Sequence, residues 1–206
     1  MRKILTTFIL GATLTLSGCG YNDFQSKDEA VKKQWGEVLN QYQRRSELIP
    51  NLVATVQGYA TQEKDVFLGV TAARSKVGSI QMTPELANNP EALKNFQKAQ
   101  GELSSALSRL LVVSENYPQL KSDANFRELQ SQLEGTENRI TVARKRFMEA
   151  VESYNVLARQ FPSNLTAMMF SYTVKPTFAV ENEKAISVAP KVDFGAKPAA
   201  PSDANK

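Results

Sequence analysis

The stretch FRELQSQLEGTENRITVARKRFMEAVESYNVLARQF, residues 126–161, decides the fold of this chain. Apolar and small side chains recur along it at alternating spacings of three and four residues, which is the period of one face of an α-helix. A seam of about five heptads predicts a helix roughly 55 Å long, at 1.5 Å per residue, that packs lengthwise against other helices. The seam consists of Phe126, Leu129, Leu133, Thr136, Ile140, Ala143, Phe147, Ala150, Tyr154, Leu157 and Phe161.

A long first helix is predicted from Asp28 to about Val77, with an apolar face broad enough for a bundle. Pro50 lies inside this pattern, where it removes one backbone hydrogen bond and crowds the carbonyl of Ser46. We therefore expect one bent helix with a kink near residues 46–50 rather than two separate helices.

Capping residues mark where the other helices begin. Asn89 stands before a proline, which is the pattern of an N-cap followed by proline at the first helical position. The cap of the third helix is open among Ser122, Asp123 and Asn125, of which Asn125 with Glu128 resembles a capping box.

The chain is therefore predicted to be all-α, an elongated antiparallel helical bundle over residues 28–170 with long, partly heptad-patterned helices and a kinked first helix. Pro162 ends the seam, and a short helix follows that contains Met168 and Met169. We expect these methionines to pack over the end of the bundle, and the alternative is a membrane-surface or partner-helix patch. Residues 171–206, rich in Pro and Ala near their end, are predicted to form an extended to disordered tail.

Composition excludes several classes of function. The net charge is +4, and Arg2 and Lys3 supply two of these charges, which leaves too little for a nucleic-acid-binding face. The chain has no histidine and one cysteine, so a structural zinc site is nearly excluded, and Ser–His and Cys–His nucleophile systems are excluded within it. We accordingly predict no catalytic residue, no metal site and no cofactor.

The N-terminus, MRKILTTFILGATLTLSGC, has the three parts of an export signal. Its apolar run of about 13 residues is shorter than the roughly 20 that a spanning helix needs, so residues 1–18 are predicted to be a signal peptide. The tetrapeptide LSGC resembles a bacterial lipobox, which implies lipid attachment at Cys19 and a lipidated tether over residues 19–27. The alternative is an uncleaved, short membrane anchor. Gly20 resembles an outer-membrane address in a Gram-negative host, and otherwise the outer face of the plasma membrane is expected.

Charged residues interrupt the apolar pattern in two of the predicted helices. A buried charge is costly unless it is paired, so we expect Arg44 or Arg45 to meet Glu115 or Glu137. We interpret these charges as a polar layer that fixes helix register, and the alternative is a small anion or metal site between helices. The candidate polar-layer or partner-binding residues are Arg44, Arg45, Glu47, Glu115, Glu137 and Arg139.

Three groups of motifs carry a family resemblance. They are QRRSELIPNLVATVQGYATQEKDVF, then VSENYPQLKSDANFRELQSQLEGTENRITVARKRF, then SYN, FPSN and PKVDF. With them the chain resembles the LemA family from about Tyr21 to Phe194. The resemblance implies a bacterial membrane-anchored helical domain outside the cytoplasm, with no established enzymatic activity. The chain departs from the usual pattern at LSGC, where many relatives have a plain transmembrane helix, and at Gln62, where relatives often have histidine.

We interpret the protein as a non-catalytic, membrane-anchored interaction or scaffold protein of the bacterial cell envelope. Its expected partners are the lipid bilayer, through acylated Cys19, and an unidentified envelope protein, with no nucleic acid. Two alternatives stay open. One is a hydrolase with paired carboxylates, for example Glu63 with Glu115 or Glu137. The other is a lipid or small-ligand carrier with a cavity between helices.

Cys19→Ala is expected to abolish incorporation of a labelled fatty acid in cells, because the thioether that carries the lipid needs the cysteine sulfur. Ser17→Ala is the matched control, since alanine keeps a small residue before the cleavage point and should label like the wild type. Labelling is read on the immunoprecipitated protein. Equal labelling of the wild type and Cys19→Ala contradicts the lipobox.

Overall fold

A computed structural model describes residues 2–178, with side chains from residue 20 onward. All regular structure in this part of the chain is helical. The elements are α1 (Arg2–Gln57), α2 (Lys64–Gly78), a 3-10 helix (Pro84–Asn88), α3 (Pro90–Ser114), α4 (Pro118–Ser122), α5 (Ala124–Arg159) and α6 (Ser163–Met169).

The two longest helices, α1 and α5, pair along their length, and α2 packs on α3. Phe24, in the middle of α1, contacts Tyr154 near the end of α5, while Tyr59 just after α1 reaches Asp123 just before α5. The two helices therefore run antiparallel, and the predicted all-α antiparallel bundle is confirmed.

The core divides into two apolar clusters along the bundle. In the first, the fully buried Trp35 ring lies 5.7 Å from Phe96 and 5.2 Å from Phe147, centroid to centroid. Its Nε1 donates a 3.1 Å hydrogen bond to the carbonyl oxygen of Thr83, so the indole joins three helices and the connection before α3. The second cluster contains Ile49, Leu52, Val56, Leu103, Leu110 and Phe126 among its buried residues.

Pro50 interrupts the hydrogen bonding of α1 but not the helix itself. α1 continues through Pro50, as the sequence predicts. The proline lacks the N–H that would bond to the carbonyl of Ser46. Arg74 of α2 supplies a replacement, since its Nε donates to this oxygen at 3.2 Å. The defect in one helix is therefore satisfied by its neighbour.

The first helix ends earlier than predicted. α1 stops at Gln57 and the chain turns over residues 58–63 before α2 begins. The expectation of a single helix to about Val77 is wrong, although the apolar pattern continues through the buried Ala60 and Phe67. The pattern survives because α2 also turns an apolar face to the core, and periodicity alone does not reveal that the chain has reversed.

The packed domain begins earlier than predicted. Residues 20–27, expected to be a tether, belong to α1, and Phe24 is fully buried. Its ring stacks on Tyr172 at 4.6 Å and meets Tyr154 edge-on at 5.7 Å. These contacts join residues far apart in sequence, so the short polar stretch that contains Phe24 gives no local sign that it is packed. Cys19 and the predicted signal peptide precede the described side chains.

The packed domain also ends later than the predicted boundary at residue 170. Ser171 has φ 57°, and the backbone N–H of Tyr172 donates to the carbonyl of Ala167 at 2.9 Å, which together reverse the chain after α6. The side chain of Asn155 then binds the backbone of Lys175, accepting from its N–H at 2.8 Å and donating to its carbonyl at 2.9 Å. Phe178 is buried against Trp35 and Phe147. The rest of the predicted tail, residues 179–206, lies outside the described residues.

Two predictions fail where α5 gives way to α6. The seam ends before Phe161, which is 80% exposed because α5 stops at Arg159. Met168 and Met169, expected to pack over the end of the bundle, are 77% and 75% exposed. The reason is that α6 has seven residues and buries one side through Ser163 and Ala167, which leaves its other side facing solvent.

The helix caps follow the sequence signals in part. Asn89 caps α3, and its side chain accepts from the backbone N–H groups of Glu91 and Ala92 at 3.0 and 3.1 Å. Asp123 caps α5 by accepting from the N–H of Phe126 at 2.8 Å. The capping box at Asn125 is wrong, because this residue lies inside the first turn of α5.

Asp123→Ala is expected to destabilise the fold at neutral pH, whereas Asn125→Ala, the matched control, should leave stability nearly unchanged. The N–H of Phe126 and then the hydroxyl of Tyr59 hold the pKa of the Asp123 carboxyl below its usual range. Because the folded pKa lies below the unfolded one, the carboxylate's contribution is complete above the unfolded pKa and is lost as pH falls through the folded pKa.

The measurement is the urea midpoint of the wild type and both variants over a series of acidic to neutral pH values. The deficit of Asp123→Ala should shrink on acidification. A deficit that is independent of pH, or an equal one in Asn125→Ala, contradicts capping by the Asp123 carboxylate.

Candidate functional site

The guanidinium of Arg45 is the most buried charged group described, at 1% exposure, and it lies between α1, α3 and α5. Its Nη1 donates to Oε1 of Glu137 at 2.6 Å and to Oγ of Ser104 at 2.8 Å. Its Nη2 donates to the side-chain oxygen of Gln100 and to the backbone carbonyl of the same residue. We call these four residues the Arg45 cluster.

Charge and aromatic contacts complete the surroundings of the Arg45 cluster. Cζ of Arg45 lies 5.1 Å from the ring centroid of Tyr42, a cation–π distance. Burial raises the pKa of the Tyr42 hydroxyl, and the charges of Arg144 and Arg45 oppose this rise. The side chain of Glu137 is 42% exposed, so the ion pair has one end in the core and one end at the surface.

Of the six predicted polar residues, Arg45 and Glu137 are brought into direct contact. The sequence left two arginines and two glutamates open, and the structure selects this pair because Arg45 faces α5 and Arg44 is exposed. Glu115 is exposed and pairs with Lys121 instead.

The remaining two predicted residues lie outside the cluster. Glu47 is exposed and accepts from the side-chain nitrogen of Gln43 at 2.9 Å. Arg139 donates from Nη2 to Oγ1 of the fully buried Thr136 at 2.9 Å and from Nε to Oε1 of Gln41 at 3.3 Å. Arg139 therefore extends the polar contacts between α5 and α1 without joining the cluster.

The sequence reasoning missed the contribution of α3. Gln100 and Ser104 supply acceptors to Arg45, and Gln97 is also buried. The signal was present, because these polar residues recur at helical spacing next to the apolar face of α3. The sequence alone does not distinguish them as buried, because uncharged side chains at such positions also occur on solvated faces.

The Arg45 cluster is more typical of a structural ion pair between helices than of a catalytic site. Arg45 Nε and Gln100 Nε2 are the buried donors of the cluster that lack a partner, while the acceptors already receive hydrogen bonds. A cation held this way by the bundle's own oxygens serves to join helices.

The carboxylates proposed for a hydrolase each have a different polar partner. Glu63 accepts from the hydroxyl of Tyr117 at 3.4 Å, Glu115 pairs with Lys121 and Glu137 pairs with Arg45.

Four concavities on the described surface each contain a single acidic residue. The groove between α2 and α3 has a volume of about 990 Å³, and Glu102 is its single acidic lining residue, paired with Lys76 at 2.5 Å. Three smaller concavities are each lined by one acidic residue, which is Glu152, Asp28 or Glu37. Among the described residues no group of three or more Asp, Glu, Cys or His side chains is placed to hold a metal ion.

In the part of the chain that the structure describes, no helix combines the length and apolarity that a bilayer crossing requires.

Comparison with known proteins identifies relatives. The family model described as LemA family matches residues 34–194. Magnetosome proteins MamQ 1 and MamQ 2 of Paramagnetospirillum magneticum are each 27% identical over 188 residues, which covers 82% of this chain and 67% of theirs. Magnetosome protein MamQ of Magnetospirillum gryphiswaldense is 27% identical over 186 residues, covering 82% of this chain and 68% of its own.

Proposed function

Because the chain belongs to the LemA family, we propose that it is a non-catalytic, membrane-anchored helical protein of the bacterial cell envelope that holds an interaction surface close to the membrane. The observation that carries this proposal is the continuity of α1. The helix is continuous from Gly20, the residue after Cys19, into the packed bundle, with no linker between them. A bundle joined in this way is held at a fixed position relative to its anchor.

The anchor in this proposal is a lipid on Cys19. The LSGC motif places this residue directly before Gly20, where the packed part of α1 begins. Two or three acyl chains at one cysteine bind a membrane stably, whereas a single chain binds marginally. The proposed location is the periplasmic face of the outer membrane in a Gram-negative host, and otherwise the outer face of the plasma membrane.

The interaction surface in this proposal is the exposed side of the segment RRSELIPN, residues 44–51. Arg44, Glu47 and Asn51 are exposed there, while Arg45 and Ile49 lie beneath them in the core. Because Arg45 and Ile49 are packed in the core, the backbone of this segment is held in place and its exposed side chains have a fixed spacing. A preorganised surface of this kind suits recognition of a partner protein. The names of the MamQ relatives denote no reaction, which supports a non-catalytic role.

A photo-crosslinking amino acid placed at Arg44 in intact envelopes is expected to capture a defined protein adduct. The matched control is the same amino acid at Arg127, which is also exposed but lies at the start of α5. Adducts are compared by mass spectrometry with those of an unrelated envelope lipoprotein.

The proposal predicts one adduct that is several-fold enriched at position 44 over position 127 and over the unrelated lipoprotein. Identical adduct profiles at the two positions contradict an interaction surface in RRSELIPN. Release of a substrate-derived product by the purified protein would contradict the non-catalytic role.

A further inference from the structure

Exposed apolar side chains are concentrated around α6. Of the thirteen large apolar side chains exposed in the described residues, five lie between positions 161 and 170. Scattered single apolar residues are normal on a protein surface, but a contiguous group marks a contact with something apolar. The five are Phe161, Leu165, Met168, Met169 and Phe170.

This patch lies at the end of the bundle where α1 enters the packed domain, at Gly20 and Tyr21. A Cβ added to Gly20 would lie 2.9 Å from Oγ1 of Thr166, so the backbone of α1 is in close contact with α6. The Tyr21 ring lies 5.1 Å from Phe170, centroid to centroid, and adds a sixth exposed side chain. Tyr21 follows Cys19 by two residues, or about 3 Å of helix.

The segment that carries the patch has no charge. Residues 160–174 contain no Asp, Glu, Lys or Arg, although the chain as a whole is 22% charged. Arg159 stands directly before the segment, whereas Lys175 after it is paired with Asp28 at 2.8 Å within the fold. Aromatic and aliphatic side chains without charge are the composition of segments that lie at a membrane surface.

The length of α6 fits a position at the membrane interface and is too short for a helix that crosses the bilayer. α6 has seven residues and is about 10 Å long, whereas the hydrocarbon core of a bilayer is about 30 Å thick. A helix of this size lies along the interface with one side in the headgroup and acyl boundary.

We propose that α6 with its flanking residues, from Phe161 to Phe170 together with Tyr21, seats the end of the bundle in the surface of the bilayer that anchors the chain. This inference rests on the proposed membrane anchoring and adds an orientation to it. α1 carries the chain about 55 Å from Gly20 to Gln57, so the seat places α2 and the start of α5 far from the membrane.

The test uses the mature acylated protein reconstituted in vesicles of phosphatidylethanolamine and phosphatidylglycerol. An environment-sensitive fluorophore is attached through Met168→Cys, and the matched control carries it through Leu68→Cys, an exposed apolar position of α2 that is 66% accessible. Unsubstituted protein treated with the same reagent shows any labelling at Cys19. Flotation with the vesicles and circular dichroism are measured on every sample.

The label at position 168 is expected to shift to the blue on reconstitution, and a quencher carried by the lipid should reduce its emission about twofold or more, because the seat lies roughly 5–10 Å into the boundary region. The label at position 68 should stay unquenched. Equal emission and quenching at both positions in protein that floats overturns the seat while the anchoring stands.

A blue shift at position 168 that the lipid quencher leaves unchanged also overturns the seat, because a second copy or another protein then covers the patch. Protein that fails to float contradicts the anchoring itself and the seat with it.

Discussion

Burial of one guanidinium is the constraint on which the rest of the bundle depends. Arg45 lies on α1 between Tyr42 of one apolar cluster and Ile49 of the other. An unpaired charge at this depth would cost several kcal/mol. The compensating oxygens come from α3 and α5 rather than from α1 itself. Sliding either helix by one turn, about 5.4 Å, would separate the charge from its partners, so the Arg45 cluster fixes the register of three helices.

The register of the helices at the Arg45 cluster determines which residues meet at the two ends of the packed bundle. On one side of the Arg45 cluster, Phe24 meets Tyr154 and Tyr172, which brings α6 against α1 at Gly20. On the other side, Tyr59 bonds to Asp123 at 3.0 Å, which places the cap of α5 beside the end of α1. The same antiparallel pairing therefore sets the end that faces the proposed anchor and the end that is remote from it.

The sequence predicted what depends on local periodicity. The long seam of α5, the cap of α3 at Asn89 and the passage of α1 through Pro50 all follow from residues within a few turns of one another. The sequence also limited the buried ion pair to Arg44 or Arg45 with Glu115 or Glu137, because a buried charge needs a partner of opposite sign.

Contacts between distant residues account for what the sequence did not predict. Phe24 looked like part of a tether because its partners lie about 130 and 150 residues away. The segment after α6 looked like a tail because Asn155, which binds Lys175, carries no local sign of that role. The exposed methionines of α6 were expected to pack over the end of the bundle because apolar composition alone does not say which side of a short helix is covered.

The free energy of coupling between Arg45 and Glu137 is the most direct measure of whether the buried charge organises the bundle. It is obtained from urea unfolding of the wild type, Arg45→Met, Glu137→Gln and the double variant, with Lys121→Met and Glu115→Gln as the exposed control pair. We predict a coupling of about 1–3 kcal/mol for Arg45 with Glu137, and about 0.5 kcal/mol or less for Lys121 with Glu115. Additive effects at Arg45 and Glu137, with no coupling beyond that of the exposed pair, would contradict this account.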